Sequence, residues 1–412
     1  MSETGEKKFY YGYIIVMAGF GIQLMAIGTL YSFGIFFPPL MEEFHWSRVT
    51  ISGAASLSSF VFGALAMLTG GLSDRFGPRI VMTACGIFLG AGFLLLSQVT
   101  TVWQLYLFYG LVIGVGMSAT DVVPLSAIAR WFTTNIGIMT GVAKVGAGVG
   151  ILILPLLVSG LIAGYGWRFA YVVIGLIVLA IVVSAAQFLK SEPDQKQQLP
   201  FGAPATERHD FSQMTEGLSL REAVNRIQLW TVCILFLSLV LCVQTIMVHI
   251  APHAVDLGMS LTGSASLISI IGILSIGGRL VIGGLSDRIG SKRAMTICFV
   301  LLILALVGLQ LSHEIWMLYV FAALYGVSHG GFFTLRSPVV AWLFGRRSHG
   351  AIFGITVFSG TIGAAIGPVM GGYIFDITGS YQLAFWILLV IAIAGVILNS
   401  TLRPATTESS VT

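Results

Sequence analysis

Four charged residues lie deep inside long apolar stretches of the sequence, where ionisable side chains are costly and mark a ligand or ion path by default. They are Arg279, Lys144, Arg336 and Asp121. Three cations and one anion sum to +2, so a cavity that contained them would attract anions and repel cations. Arg279 is the strongest candidate ligand, because a guanidinium can bind a carboxylate through two parallel hydrogen bonds. A structural bond between two parts of the fold is its alternative role.

An ion pair is predicted for Lys144 and Asp121. They lie about eight and eleven residues from the same face of the membrane on consecutive apolar stretches, which corresponds to roughly 12–17 Å of helix and therefore to similar depth. Two roles stay open for this pair. It either stabilises the buried structure alone, or it opens and recloses as substrate and proton bind.

A proton carrier is the third kind of chemistry that these residues could supply. Asp121 is the only acidic residue that we place deep inside an apolar stretch, so it is the first candidate, with Lys144 as its partner. His329 and His249 are further candidates, since an unperturbed imidazole titrates near neutral pH. A hydrogen-bonded structural role is the alternative for each histidine.

Membrane helices must hold these residues. The chain has 412 residues, of which 56% are hydrophobic and 9% charged, whereas about 25% of the residues in soluble domains are charged. This composition excludes an ordinary soluble enzyme, a disordered chain and a secreted disulfide scaffold. Runs long enough to span a bilayer, about 20 residues each, are predicted at 11–37, 50–73, 80–99, 103–130, 136–162, 169–189, 229–251, 263–285, 294–312, 316–343, 350–374 and 381–402. We therefore predict an all-α membrane protein with twelve transmembrane helices.

The twelve helices form two repeated halves. A polar linker at 190–227 separates an N-terminal six-helix bundle (1–189) from a C-terminal six-helix bundle (228–412), and the sequence GGLSDR occurs at 70–75 and again at 283–288. Parallel repeats of this kind place a substrate site near the membrane midplane between the bundles. Most Lys and Arg residues fall on the side of the termini and the linker, which predicts that both termini are cytoplasmic.

The two repeated loops resemble a signature of the major facilitator superfamily. They read GGLSDRFGPR at 70–79 and GGLSDRIGSKR at 283–293, and the resemblance extends over the whole chain. It implies the twelve-helix major facilitator fold, in which helices 1, 4, 7 and 10 line the cavity. The aspartates at these helix ends can pair with arginines of other helices when one side is shut, although a purely structural role for the loops stays open. The gating candidates are Asp74, Arg75, Arg130, Asp287, Arg288 and Arg346, with Arg347 as the alternative to Arg346.

A second resemblance is to monocarboxylate transporters and oxalate/formate-antiporter-like proteins. It rests on FYYGY at 9–13, YSFGIFF at 31–37 and GGRLVIGGLSDR at 277–288. The resemblance implies that Arg279 binds a carboxylate. Ser275 stands where this group often has an acidic residue, so the chain departs from the group's usual proton site.

Neutral polar side chains at mid-depth could orient a small hydroxy acid beside the arginine. Tyr31 and Gln244 occupy equivalent positions of the repeat, so we expect them to face the cavity from opposite bundles. The candidate substrate-binding residues are Arg279, Tyr31, Gln244, Ser118, Tyr325 and Ser275, with Gln23 at similar depth.

These observations favour a secondary transporter of small monocarboxylates, such as lactate or pyruvate, coupled to protons through alternating access. An oxalate/formate-type anion exchanger and a non-transporting membrane nutrient sensor are the alternatives. No catalytic residue, metal site or cofactor is predicted, and without a GxxxxGK[ST] loop a nucleotide-driven pump is disfavoured. The expected partners are the small organic anion with H+ and the lipid bilayer. With a net charge of +4, nucleic acid is not expected, and we expect a monomer in the plasma (inner) membrane.

Overall fold

The computed structural model describes residues 10–46, 48–191, 201, 217–259, 261–312 and 314–404. Within these residues it confirms an all-α membrane protein with twelve apolar helices long enough to cross a bilayer. We number them α1 to α12: Gly12–Phe44, Arg48–Phe76, Pro78–Leu96, Val102–Trp131, Ile136–Tyr165, Trp167–Phe188, Ile227–Asp256, Leu261–Ile289, Ser291–Gln310, Ile315–Phe344, His349–Thr378 and Gln382–Thr401. Most of the predicted linker, together with both chain ends, lies outside the described residues.

The first helical segment is longer than the hydropathy pattern predicts. It continues through a 3-10 turn at Phe33–Phe36 into a further helix at Phe37–Phe44. Two prolines follow Phe37 directly and so lie in the first turn of this second helix, where a backbone N–H has no intrahelical partner to lose. The segment ends at His45, which adopts a left-handed conformation with φ of 55°.

Helix α4 is interrupted at the depth of its only carboxylate. A π-helical stretch at Tyr106–Ile113 and one turn at Gly114–Met117 lead into four non-helical residues, and the helix resumes at Val122. Asp121 is the last residue of this break. An interruption inside a membrane is tolerated only where protein groups satisfy the freed backbone atoms. The break has a local cause, because Pro124 lacks the N–H that would otherwise bond to the Thr120 carbonyl oxygen.

The helices form two bundles of six, α1–α6 and α7–α12, that meet mainly where α2 packs on α11 and α5 packs on α8. We call the membrane end that carries Asp74 and Asp287 the motif end. Helices α1 and α7 begin there, and α2 and α8 end there.

The bundles touch backbone to backbone near the motif end. A Cβ atom placed on Gly70 would lie 2.1 Å from the carbonyl oxygen of Gly350, and one on Gly137 would lie 2.3 Å from that of Gly283. These two contacts are equivalent under the 213-residue repeat. Only glycine permits such an approach, so the structure has the motif end closed.

A second pair of glycine contacts lies one turn deeper. A Cβ atom on Gly141 would lie 2.4 Å from the carbonyl oxygen of Arg279, and one on Gly354 would lie 2.5 Å from that of Ala66. These contacts are again related by the repeat. Each of α5 and α11 thus presents two glycines, four residues apart, to the opposite bundle.

Candidate functional site

A cavity of about 200 Å³ lies between the two bundles. Helices α1, α2, α4 and α5 line it on one side and α7, α8, α10 and α11 on the other. Along α1 the lining residues run from Gln23, deep in the protein, to Tyr31, which is 48% exposed. Since the bundles are in contact at the motif end, the cavity opens toward the opposite end.

The four buried charges that the sequence singles out meet at the deep end of this cavity. Asp121, Lys144, Arg279 and Arg336 all line it, and each is at most 6% exposed. We call these four residues the charged floor. Its formal charge is +2, as the sequence indicates, so the floor favours an anionic ligand.

The predicted ion pair is present on this floor. Asp121 Oδ1 accepts a hydrogen bond from Lys144 Nζ and another, of 3.1 Å, from Gln23 Nε2. The same Gln23 amide donates to the carbonyl oxygen of Thr120 at 2.8 Å, which satisfies one backbone group freed by the break in α4. Asp121 is therefore held by two helices of its own bundle.

A double-mutant cycle tests how strongly this pair stabilises the protein. Asp121→Asn leaves Lys144 unpaired in the interior, and breaking a buried pair costs about 3–5 kcal/mol. We expect Lys144→Gln to be milder, because Arg336 Nη1, only 4.0 Å from Asp121 Oδ2, can replace the lost partner. The purified double variant should recover much of the stability that the single variants lose, as measured by thermal unfolding. Defects that simply add would contradict direct pairing.

Arg279 bonds across the bundle interface and keeps a free donor. Its Nη1 donates to the carbonyl oxygen of Lys144 on α5 at 2.6 Å. Its Nε is buried and has no hydrogen-bond partner within the described part of the chain. Gly148 leaves room for the guanidinium, since a Cβ there would lie 3.0 Å from Nη1. The two roles considered for Arg279 therefore coexist, because one nitrogen makes a structural bond and another remains available to a ligand.

The histidines separate into two environments. His329 lines the cavity, and its Nδ1 lies 3.0 Å from the hydroxyl of Ser275 on α8. Ser275 therefore contacts this cavity-lining imidazole, although it is not itself a lining residue. His249 is held by the Tyr381 hydroxyl at 3.2 Å and the Pro368 carbonyl oxygen at 2.9 Å, within the C-terminal bundle. Both of its ring nitrogens are engaged away from the cavity.

Three of the six neutral candidates, among them Gln23, line the cavity, and three, among them Ser275, do not. Tyr31 and Gln244 line it from opposite bundles, as the repeat predicts. Ser118 lies outside the cavity, because its hydroxyl bonds to the Val115 carbonyl oxygen at 2.7 Å and faces its own helix. Tyr325 lies outside it as well, because its hydroxyl donates to Val243 on α7 at 2.8 Å. Their depth was predicted well, but depth does not determine which face of a helix a side chain occupies.

The two motif aspartates close the motif end through backbone N–H groups. Asp287 accepts bonds from Gly137 N at 2.7 Å and Ile138 N at 2.8 Å, at the start of α5. Asp74 bonds in the same way to the first N–H groups of α11, at 3.2 and 3.0 Å. A carboxylate is favoured at a helix N-terminus.

The arginine partners predicted for these aspartates are found in one case. Asp74 is paired with Arg130 of its own bundle. Arg346 or Arg347 was expected as a further partner of the motif aspartates, but Asp287 accepts its hydrogen bonds from the N-terminus of α5, the positive end of a helix dipole. Arg75 and Arg288 lie in the last turns of α2 and α8.

A polar contact that the sequence analysis missed also joins the bundles at this end. The imidazole of His349 is fully buried, with Nδ1 3.0 Å from the Ser126 hydroxyl of α4 and Nε2 3.2 Å from the carbonyl oxygen of Ser337 on α10. A histidine at the first position of a helix is typical of a solvent-facing end, so the sequence carries no signal for this contact.

Neutralising either motif aspartate is expected to loosen the motif end. An amide oxygen in Asp74→Asn or Asp287→Asn cannot replace two charge-assisted bonds, which contribute about 1.5–3 kcal/mol each. We expect the fraction of protein open at this end to rise by about tenfold or more. The measurement is the labelling rate of a cysteine introduced at Ser126, in a chain without its four native cysteines. Labelling equal to that of an Arg403→Gln control would contradict a gating role.

Comparison with known proteins agrees with this architecture. A family profile described as "Major Facilitator Superfamily" matches residues 19–313 and, in a second match, 279–412. "Monocarboxylate transporter 11" of Homo sapiens is 27% identical over 394 residues, covering 93% of this chain and 81% of that protein. "Monocarboxylate transporter 13" of Rattus norvegicus is 26% identical over 387 residues, covering 93% and 87%. The resemblance noted from the sequence is thereby confirmed.

A solved structure has the same fold. The human organic anion transporter MFSD10 (TETRAN) superposes with a TM-score of 0.74 at 16% identity, over 94% of this chain and 99% of that one. The relatives and this structural neighbour are transporters of the major facilitator superfamily, and proteins of this group are not enzymes. This multi-pass membrane protein therefore belongs to the major facilitator superfamily.

Proposed function

We propose that this chain transports small monocarboxylates by proton-coupled symport, with Arg279 as the ligand of the carboxylate. The observation that carries the proposal is the charged floor, where Arg279 keeps a buried Nε without a partner among the described residues and beside a net positive charge. A carboxylate fits the planar guanidinium fork and lowers the electrostatic cost of the floor. The names of the relatives, which are monocarboxylate transporters, support the same class of substrate.

The charge of the floor suggests why proton and anion travel together. The empty floor carries +2 with Asp121 ionised. One proton on Asp121 and one monovalent anion at Arg279 leave it at +2 again, whereas the proton alone gives +3 and the anion alone +1. Only binding both together leaves the charge of the floor unchanged, and we propose that the bundles rearrange only when the floor carries this charge. Asp121 is the first proton carrier in this proposal and His329 the second.

The difference between the two ends of the cavity, one closed and one open, supports alternating access. We propose that the bundles rock about the charged floor, so that the glycine contacts at the motif end separate while the opposite end closes. With the termini in the cytoplasm of a plasma (inner) membrane protein, the motif end faces inward and the structure represents the outward-facing form. The two bundles enclose the whole site, which suits a functional monomer.

Anion exchange of the oxalate/formate type is the second candidate. It is favoured by the two arginines on the floor, which could bind a divalent anion without a proton. The two candidates differ in what drives uptake, because exchange needs an internal anion and symport needs a proton gradient.

Uptake of labelled carboxylates into proteoliposomes distinguishes them. Vesicles containing the purified chain are given an inward proton gradient without internal substrate, or internal substrate without a gradient. Symport predicts accumulation in the first case, and vesicles made with Arg279→Ala serve as the control for leak. Uptake that needs internal anion and ignores the gradient would favour exchange, and no uptake of any small carboxylate would contradict both.

A further inference from the structure

Arg336 is the charged residue on the floor whose donors are least satisfied. It lies on α10, lines the cavity and is 5% exposed. Its Nε and Nη2 are buried without a hydrogen-bond partner in the described part of the protein. Its Nη1 lies 4.0 Å from Asp121 Oδ2, beyond hydrogen-bond distance. Burying a charged guanidinium costs free energy unless acceptor oxygens bind its N–H groups.

Aromatic rings hold this guanidinium but do not satisfy it. Its central carbon lies 5.5 Å from the ring centre of Phe236 and 5.9 Å from those of Phe333 and Phe353. Such contacts stabilise the positive charge through the ring faces. The N–H groups lie in the guanidinium plane and need acceptor oxygens, which rings do not provide.

The carboxylate of Asp121 does not satisfy these donors, because it makes its hydrogen bonds through Oδ1 while its Oδ2 stays 4.0 Å from Arg336 Nη1. Asp121 Oδ1 accepts from Lys144 and from Gln23. On the side of α11 the neighbour is Gly360, where a Cβ would lie 3.4 Å from Nη2. Arg336 therefore faces the cavity with donors that neither Asp121 nor α11 satisfies.

Arg279 and Arg336 belong to helices in direct contact. Next to Arg279, α8 meets α10 at Gly330, where a Cβ would lie 2.0 Å from the carbonyl oxygen of Ser275. Arg336 follows Gly330 by six residues, or roughly 9 Å along the helix. Two long side chains from this pair of helices can therefore reach one small ligand from two directions.

We propose that Arg336 is the second substrate ligand, which binds an oxygen acceptor other than the carboxylate held by Arg279. The cavity then selects carboxylates that carry a hydroxyl, an oxo group or a second carboxylate over unsubstituted acids of the same length. This inference rests on the proposed function and narrows its substrate class. A buried donor left without its acceptor is what rejects the unsubstituted acid.

Four acids with three carbons each provide the test. Propionate has no second acceptor, lactate adds a hydroxyl, pyruvate an oxo group and malonate a carboxylate. Competition of each acid against labelled pyruvate is measured on the purified chain and on Arg336→Gln. In the parent chain we expect at least one of the three substituted acids to bind about tenfold or more tightly than propionate, and the best of them identifies the acceptor.

In Arg336→Gln we expect this preference to fall to within about twofold, while propionate keeps its affinity. Arg336→Lys, which keeps the charge without the fork, should retain part of the preference. Arg403→Gln, which removes an exposed arginine far from the cavity, should change nothing. If Arg336→Gln does not fold, Arg336→Lys carries the test, and a preference equal to that of the parent chain in this variant would overturn the inference.

Equal binding of all four acids by the parent chain would overturn the inference and leave the proposed function intact. A preference that survives in Arg336→Gln, or an equal loss for all four acids, would also overturn it. If the parent chain binds none of the four acids, the result would instead contradict the proposed function itself.

Discussion

Replacing Arg279 by alanine is expected to abolish nearly all carboxylate uptake, while lysine at this position should retain only a small part of it. A bidentate pair with a carboxylate comprises two bonds that contribute about 1.5–3 kcal/mol each. We therefore expect uptake at low substrate concentration to fall by about 100-fold or more in Arg279→Ala. Arg279→Lys keeps the charge but loses the planar fork, and a fall of about tenfold or more is expected. Initial rates in proteoliposomes give both numbers.

The Arg279 variants should still fold. Removing a buried guanidinium also removes its desolvation cost, and the only hydrogen bond that it makes within the described residues is to the Lys144 carbonyl oxygen. Thermal unfolding and elution as a single species provide the check, and Arg403→Gln is the control for the loss of one arginine. If a folded Arg279→Ala protein binds substrate with the same affinity as the parent chain, Arg279 is excluded as the carboxylate ligand.

Replacing Asp121 by asparagine is expected to abolish accumulation driven by a proton gradient and to leave exchange of substrate across the membrane partly active. Asparagine has nearly the shape of the protonated carboxyl group but cannot release a proton, so the floor stays at +3 without substrate. Substrate still binds, but its movement is no longer tied to a proton. Accumulation under an imposed gradient, and exchange of labelled for unlabelled substrate without one, are measured on the same vesicles.

His329→Gln, measured in parallel, tests the second candidate proton carrier, whose imidazole also lines the cavity. Full accumulation in Asp121→Asn would remove Asp121 from the coupling mechanism. If accumulation is lost in His329→Gln alone, proton transfer is assigned to the imidazole that contacts Ser275.

The two bundles repeat in their scaffold but not in their chemistry. The glycine contacts and the aspartate contacts at the motif end occur in equivalent pairs. The charged floor does not repeat, because Arg279, Lys144, Asp121 and Arg336 are equivalent to Ala66, Val357, Thr334 and Val123. Closure is therefore a property of the repeated framework, whereas the proposed ligand site lies where the halves differ.

Depth along a helix could be predicted from the sequence, and rotation around its axis could not. The Asp121–Lys144 pair was predicted correctly because opposite charges at one depth in an apolar medium have strong reason to meet. Tyr325 was placed at the right level but on the wrong face. Membrane helices are apolar on nearly all sides, so the periodicity that distinguishes faces in soluble proteins is weak here.

The sequence also did not reveal which hydrogen bonds involve backbone groups. The interruption of α4 lies just before Pro124, whose missing N–H leaves the Thr120 carbonyl oxygen without its helical donor. The proline could have indicated the break, but no sequence signal shows that Gln23 of another helix donates to that oxygen. The partner of Asp287 is a pair of backbone N–H groups, which every helix start possesses and no residue type reveals. Arg336 could be recognised as a buried charge, but its unsatisfied donors could not.

Equilibrium binding of labelled pyruvate to the purified chain tests the central claim most directly. The account predicts saturable binding of one pyruvate per chain, lost in Arg279→Ala and unchanged in Arg403→Gln. Binding that is equally strong in the parent chain and in a folded Arg279→Ala variant would contradict it.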